Sequence, residues 1–322
     1  MVDFWQNKNV IVTGGNGFLG KHLVSELNSK GCKLFVPSSK HFDLRQTAYI
    51  DALLKNSKVD ILFHLAGNVG GIGYNLQNPY NLFYDNAIMG IKLIDAALRY
   101  GVKKFVQIGT VCSYPADTPV LFREEDLWNG HPEPTNAPYG IAKKILLTQL
   151  QSAWMQFAYS GIYLIPTNLY GPGDEFSDHK SHVIPALIKK FLDAKKYGSD
   201  CVNIWGNEGK VSRDFLYVSD AAKGIVKAAE VIDRRFKPIP INLGTGIEID
   251  ISLLANTIRS IIKYEGEINW VKEMPEGQEK RALDISLAFD IFGWEAETSL
   301  EQGLKETIKW YQEERANANN DG

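Results

Sequence analysis

Tyr139 and Lys143 stand four residues apart in PYGIAK. On a helix that spacing puts both side chains on one face, where a nearby ammonium lowers the pKa of a phenol and fits it to exchange a proton with a hydroxyl or ketone. Thr110, at the end of KKFVQIGT, can supply a third hydrogen bond to the same oxygen. A Tyr-x-x-x-Lys pair alone is an ordinary surface-helix pattern. Here it follows, in chain order, a glycine-rich turn and a hydroxyl at a strand end. That order predicts hydride transfer between a dinucleotide and an oxygen-bearing carbon.

The turn is GGNGFLG, with Gly14, Asn16, Gly17, Phe18 and Gly20 as the cofactor-binding candidates. Glycines there allow a tight bend and let a pyrophosphate approach backbone N–H groups at a helix N-terminus. At the end of the second strand an NAD-preferring pocket often places an acid against the ribose hydroxyls. No acid precedes Asp43; Ser38, Ser39 and Lys40 stand there instead, which favours NADP(H), with a solvated turn as the alternative. Asp43 and Leu44 can face the adenine or belong to a surface loop. Leu65, Ala66 and Gly67 end a later strand beside the crevice, where small residues permit close approach.

These residues need a scaffold that alternates strands and helices. NVIVT, KLFVP, VDILFHLAG, KKFVQIGT and GIYLIPTNLYG read as strands, separated by helical segments that include Asn81 to Tyr100 and one starting near Ala137. The apolar strand runs suit a sheet covered on both faces. The fold class is therefore α/β: a Rossmann-like doubly wound parallel sheet with a smaller mixed α/β substrate-binding domain. The boundary is expected near Tyr170, giving residues 1–170 and 171–322, with some later segments returning to the first unit. GPGDEFSDHKSH reads as a polar loop and the final ANANNDG as frayed.

A chain of 322 residues, 44% hydrophobic and 23% charged, can bury a large core and is not disordered. Its net charge of −3 provides no broad basic field for nucleic acid or an anionic membrane, so anionic ligands must be met by local cations. Cys32, Cys112 and Cys201 are widely spaced, which argues against a disulfide framework or a metal cluster and for a reducing cytoplasm. Neither an export signal nor a membrane-spanning stretch is evident.

TGGNGFLG and PYGIAK, with the longer segments NVGGIGYN, GTVCSYP, EPTNAPYGIAKK, PTNLYGPGDEF and SHVIPALIKKF, resemble the extended short-chain dehydrogenase/reductase family. Within it they are similar to the GDP-L-fucose synthase branch, over nearly the whole chain. The resemblance implies NADPH-dependent 3,5-epimerisation and 4-keto reduction of a GDP-linked 4-keto-6-deoxy sugar, and a homodimer. It assigns Thr110, Tyr139 and Lys143 to reduction, and Cys112 and His182 to the acid/base pair of epimerisation. Thr110 departs from the serine usual in that branch; the hydroxyl is kept and a methyl added.

A thiol at Cys112 and an imidazole at His182 suit proton exchange at carbons made acidic by a neighbouring ketone. Asn168, Lys190, Trp205 and Arg213 are the substrate-binding candidates, Arg213 as a multidentate donor to a diphosphate. In GQEKRALD either Lys280 or Arg281 can serve, and Arg281 is taken as the candidate. Competing readings are a reductase/epimerase of another GDP-linked deoxy or heptose sugar, an NAD-dependent 4-epimerase of nucleotide sugars, and a silent dinucleotide-binding regulator.

Overall fold

The computed structural model describes residues 4–177, 181–206, 208–271 and 278–320, so part of the polar loop after Tyr170, residues 178–180, lies outside it. The first half of the chain runs β1 (Asn9–Thr13), α1 (Phe18–Ser29), β2 (Lys33–Phe35), α2 (Thr47–Leu54), β3 (Ile61–His64), α3 (Ile72–Gln77), α4 (Pro79–Arg99), β4 (Lys104–Ile108), α5 (Ala137–Phe157) and β5 (Gly161–Pro166). It continues through β6 (Asn168–Tyr170), α6 (Val183–Tyr197), β7 (Cys201–Trp205), β8 (Ser212–Arg213), β9 (Phe215–Tyr217) and α7 (Val218–Val231). The remainder is β10 (Pro240–Leu243), β11 (Ile249–Asp250), α8 (Ile251–Ile262), β12 (Glu267–Val271), β13 (Lys280–Arg281), α9 (Ser286–Phe292) and α10 (Leu300–Asn320).

Six parallel strands form the main sheet in the order β10-β5-β4-β3-β1-β2. Because successive strand residues point to opposite faces, each strand feeds two cores. Ile11, Leu62 and Phe105 pack with α2, α4 and α5 through Ile50, Leu93, Leu146 and Leu147. Val10, Val12, Phe63 and Val106 pack with α1, α7 and α9 through Leu23, Leu27, Ile225 and Phe292. Side chains of this size each stabilise the fold by about 1.5–3 kcal/mol when fully buried. The chain order reverses between β1 and β3, the position where doubly wound sheets open a crevice at their carboxyl edge.

A third core, from Ile184, Leu187, Phe191, Leu254, Ile258 and Leu304, joins α6, α8 and α10. After Tyr170 the chain also returns to the main sheet, through β10, α7 and α9.

Two segments differ from the sequence reading. GIYLIPTNLYG is not one strand: β5 ends at Pro166, and β6 leaves the main sheet to pair with β9. The Thr167 hydroxyl and the Asn168 amide both donate to the Asp214 carbonyl, at 3.1 and 2.9 Å, so a distant partner draws the chain away. The end of the chain is helical through Asn320 rather than frayed from Ala316. Among the described residues no helix is long and apolar enough to cross a membrane.

Candidate active site

β1 delivers the glycine turn to the carboxyl edge of the sheet. Gly14 has φ +74°, and a Cβ there would lie 2.5 Å from the Ala66 nitrogen, so the turn packs directly on Leu65 and Ala66. A Cβ at Gly20 would sit 2.1 Å from the Gly14 carbonyl oxygen, which requires the bare backbone. Gly17 caps α1 without any side-chain hydrogen bond, and the first helical turn carries no acid. Free N–H groups at the positive end of a helix, in a cradle that side chains would fill, fit a pyrophosphate. Asn16 and Gly17 are exposed and Phe18 is half-buried beside them.

The end of β2 reaches the same turn, because Val36 lies where a Gly15 side chain would be. Ser38 is half-buried, and Ser39 and Lys40 are exposed in a turn closed by the His41 amide donating to the Ser38 carbonyl. Asp43 is engaged by Arg45, whose hydrogen bonds hold the carboxyl down at about 2. Arg45 also bridges to Asp85. Leu44 is buried in the α4-side core, which fixes the start of this loop.

Asn86 was not singled out by its sequence context. Buried inside α4, it accepts from the Asn68 amide at 3.1 Å and donates to the Asn68 carbonyl at 2.9 Å, clamping the backbone beside Gly67. A polar residue in the buried stripe of an amphipathic helix was the available signal. A Cβ at Gly67 would lie 2.9 Å from the Asn86 side-chain oxygen and 3.6 Å from the Lys143 ammonium. The cofactor crevice therefore runs into the helix carrying Tyr139 and Lys143.

Thr110 follows β4 and caps a single 3-10 turn, Val111–Ser113, by accepting from the Cys112 amide. α5 packs tightly on that turn: a Gly140 Cβ would be 2.2 Å from the Cys112 carbonyl oxygen, and the Ser113 hydroxyl donates to the Gly140 carbonyl at 2.8 Å. Tyr139 is thereby brought beside Thr110, close enough for that hydroxyl to favour the ionised phenol. The Tyr163 hydroxyl donates to the Lys143 carbonyl at 3.0 Å and anchors the next helical turn. Glu133, also missed by the sequence reading, accepts from the Thr135 and Asn136 side chains and amides and orders the entrance to α5.

Electrostatics correct one expectation. Burial pushes the Tyr139 phenol above its ordinary value, Cys112 adds to the shift, and the Thr110 hydroxyl only partly offsets it. Lys143 does not act to lower it; its own pKa is pushed down to about 8 by burial. Tyr139 is thus set as a proton donor at neutral pH in the chain alone. His64, held by Thr13 at 2.8 Å, is kept neutral by burial and by the Lys143 charge.

Across the cleft, Arg281 donates to the Cys112 sulfur at 3.7 Å. Arg213 is lowered to about 9 by burial and then by Arg281, with Cys112 and Glu133 opposing. Cys112, Glu133, Arg213 and Arg281 therefore share one neighbourhood. Arg213 does not pair with Asp214: it donates to the Ser212 and Glu279 carbonyls, while Asp214 accepts from the amides of Thr245 and Gly246. Asn168 ties β6 to this junction through the Asp214 carbonyl.

His182 caps α6 and is an exposed residue, yet desolvation of its imidazole lowers the pKa. Its ring makes no hydrogen bond among the described residues, while its carbonyl accepts from the Ala186 amide at 3.0 Å. Lys190 and Trp205 form a second cluster on α6 and β7, with the ammonium 5.2 Å from the ring and donating to the Asn203 carbonyl at 2.8 Å.

The chain is 33% identical over 311 residues to GDP-L-colitose synthase from Yersinia pseudotuberculosis, covering 96% of this chain and 99% of that protein. It is 34% identical over 302 residues to GDP-L-fucose synthase from Sinorhizobium fredii, with 94% and 95% covered. A solved GDP-mannoheptose C4 reductase from Campylobacter jejuni with NADP bound superposes with a TM-score of 0.86 at 27% identity, covering 95% and 98%. Residues 10–244 match the family described as NAD dependent epimerase/dehydratase. With the glycine cradle on β1 and the Thr110–Tyr139 contact at the same sheet edge, the chain belongs to the NAD dependent epimerase/dehydratase family.

Proposed function

We propose that the chain catalyses NADPH-dependent 3,5-epimerisation and 4-keto reduction of GDP-4-keto-6-deoxy-D-mannose, yielding GDP-L-fucose. The observation that carries this reading is the Cys112 thiol beside Tyr139 and under Arg281, one turn from Thr110. A 4-epimerase that only removes and returns hydride has no need of a thiol there.

The glycine cradle and the uncapped start of α1 take the pyrophosphate, and Ser38, Ser39 and Lys40 meet the 2′-phosphate without opposition from Asp43, which Arg45 neutralises. The solved similar protein with bound NADP supports the phosphorylated cofactor. When bound, the cofactor supplies hydride to the ketone carbon. Tyr139 gives its phenolic proton to the ketone oxygen, Thr110 orients that oxygen, and Lys143 beside Gly67 supports the phenol and the nicotinamide ribose.

Before reduction, the C4 ketone makes the C3 and C5 protons acidic. Cys112 and His182 remove and return them from opposite sides, with Arg281 presenting positive charge to the sulfur. Arg213 and Arg281 face the sugar diphosphate, and Asn168 holds their junction in place. The assay is purified protein with the 4-keto sugar and NADPH in D2O: cofactor oxidation with deuterium at C3 and C5 supports the reading, and no turnover where an authentic synthase is active overturns it.

A second reading keeps the chemistry on another GDP-linked 4-keto deoxy or heptose sugar. The likeness to a colitose synthase and a mannoheptose reductase favours it. Product NMR across several 4-keto nucleotide sugars separates the two.

A further inference from the structure

The amino-terminal edge of the sheet, opposite the glycine turn, holds a depression of about 440 Å³. Its floor is formed by residues at the starts of β3, β4 and β5, including Lys104 and Ser160, and its walls by Lys8, Lys103, Arg234 and Arg235. Two acids also line it, but both are engaged: Asp60 with Lys103 at 2.7 Å and Asp233 with Arg235 at 2.7 Å. Among the described residues Lys8, Lys104 and Arg234 form no ion pair within 4 Å; Asp60 acts on Lys8 and Asp233 on Lys104 only at longer range. Lys104 uses one of its three donors on the Ala229 carbonyl and is otherwise bounded by the Phe4 ring, 5.3 Å away.

A second observation is independent of charge. Ser160 is only 6% exposed, lines the depression, and its hydroxyl has no hydrogen-bond partner. The hydroxyl oxygen is closed to solvent as it stands, and turning onto an acceptor seated beside these cations would relieve the cost of leaving it unpaired.

The geometry points to a binding site for a small phosphorylated anion, a phosphate or pyrophosphate group held by Lys8, Lys104, Arg234 and the Ser160 hydroxyl, on the sheet edge opposite the catalytic cleft. A tetrahedral oxyanion with several charges accepts from a guanidinium, two ammonium groups and a hydroxyl at once, whereas a single carboxylate leaves cations uncompensated. Burial, with the Lys8 charge adding to it, lowers Lys104 to about 8 although Asp233 opposes the shift, so an anion seated there would stabilise the charged form. The site does not rest on the proposed reaction.

The test is calorimetric titration of inorganic pyrophosphate into protein saturated with NADPH and GDP, so that the cofactor cradle and the proposed sugar-diphosphate site are both filled. Wild type, the K8M/R234M double variant, S160A and R213M are compared, with melting curves to verify folding and citrate as a non-phosphate polyanion. Saturable binding that weakens about tenfold or more in K8M/R234M, weakens less in S160A and is unchanged in R213M is the expected result. Absence of saturable binding, equal binding by K8M/R234M, loss in R213M, or equally tight citrate binding would overturn it.

Discussion

The Arg281 guanidinium lies 3.7 Å from the Cys112 sulfur, joining residues separated by 169 positions in the chain. The contact places the cation of β13 over the turn that follows β4, so the proposed proton exchange at Cys112 can be tested apart from the proposed hydride transfer at Tyr139. Cys112→Ser should lower deuterium incorporation at C3 and C5 by about 10²–10⁴-fold while NADPH binding persists. Arg281→Met should reduce the same exchange, with partial rescue by Arg281→Lys. Unchanged incorporation in Cys112→Ser would remove the thiol from the mechanism.

Tyr139→Phe deletes the proposed proton donor but leaves the ring packed beside Thr110 and Cys112. Hydride transfer should fall by about 10²–10⁴-fold with NADPH affinity nearly unchanged, and exchange at C3 and C5 should continue. Single-turnover NADPH oxidation and fluorescence titration read the two effects separately.

Gly20→Ala would force a methyl to within 2.1 Å of the Gly14 carbonyl, a backbone atom that cannot swing aside. The variant should lose about 1–3 kcal/mol of stability and most cofactor affinity, measurable by urea unfolding and NADPH titration. Gly31→Ala makes a useful control for left-handed strain alone, because it has φ +73° and open space around the added methyl.

Lys143 is 3% exposed and its pKa is depressed to about 8 from 10.5. Below pH 8 the ammonium is charged in both folded and unfolded chains, so its desolvation cost is fully present; between 8 and 10.5 the unfolded chain binds more protons and stability rises with pH. Lys143→Met should therefore raise the stability of the cofactor-free protein at pH 7 by about 1–3 kcal/mol while abolishing reduction. Chemical denaturation at pH 7 and 10 checks the sign: the gain should shrink at the higher pH.

The proposed homodimer has a candidate surface on α4, where Tyr80, Phe83, Tyr84 and Ile91 are exposed. Ile91 also borders an open depression with Ile145 and Thr148 of α5. Ile91→Glu should convert a dimer to a monomer in analytical ultracentrifugation, and a wild-type chain that stays monomeric across concentrations would count against the pairing.

Local chemistry was enough to read the glycine turn, the helix presenting Tyr139 and Lys143, and most strands of the main sheet. Each depends on contiguous residues: the fit of Gly14 and Gly20 to a tight bend, the 3.6-residue period of α5, and the apolar runs Val10–Val12 of β1 and Ile61–Phe63 of β3. Tertiary structure decided what depended on remote partners. It split GIYLIPTNLYG at Thr167 because the Asp214 carbonyl accepts from two neighbouring side chains there. It added β10 at the sheet edge beside β5 and brought Arg281, rather than Lys280, to Cys112, since in β13 Arg281 is buried and Lys280 exposed. It also reversed the direction of the Tyr139 shift: spacing puts Lys143 on the same helix face, but burial outweighs every nearby charge in setting how readily that phenol ionises.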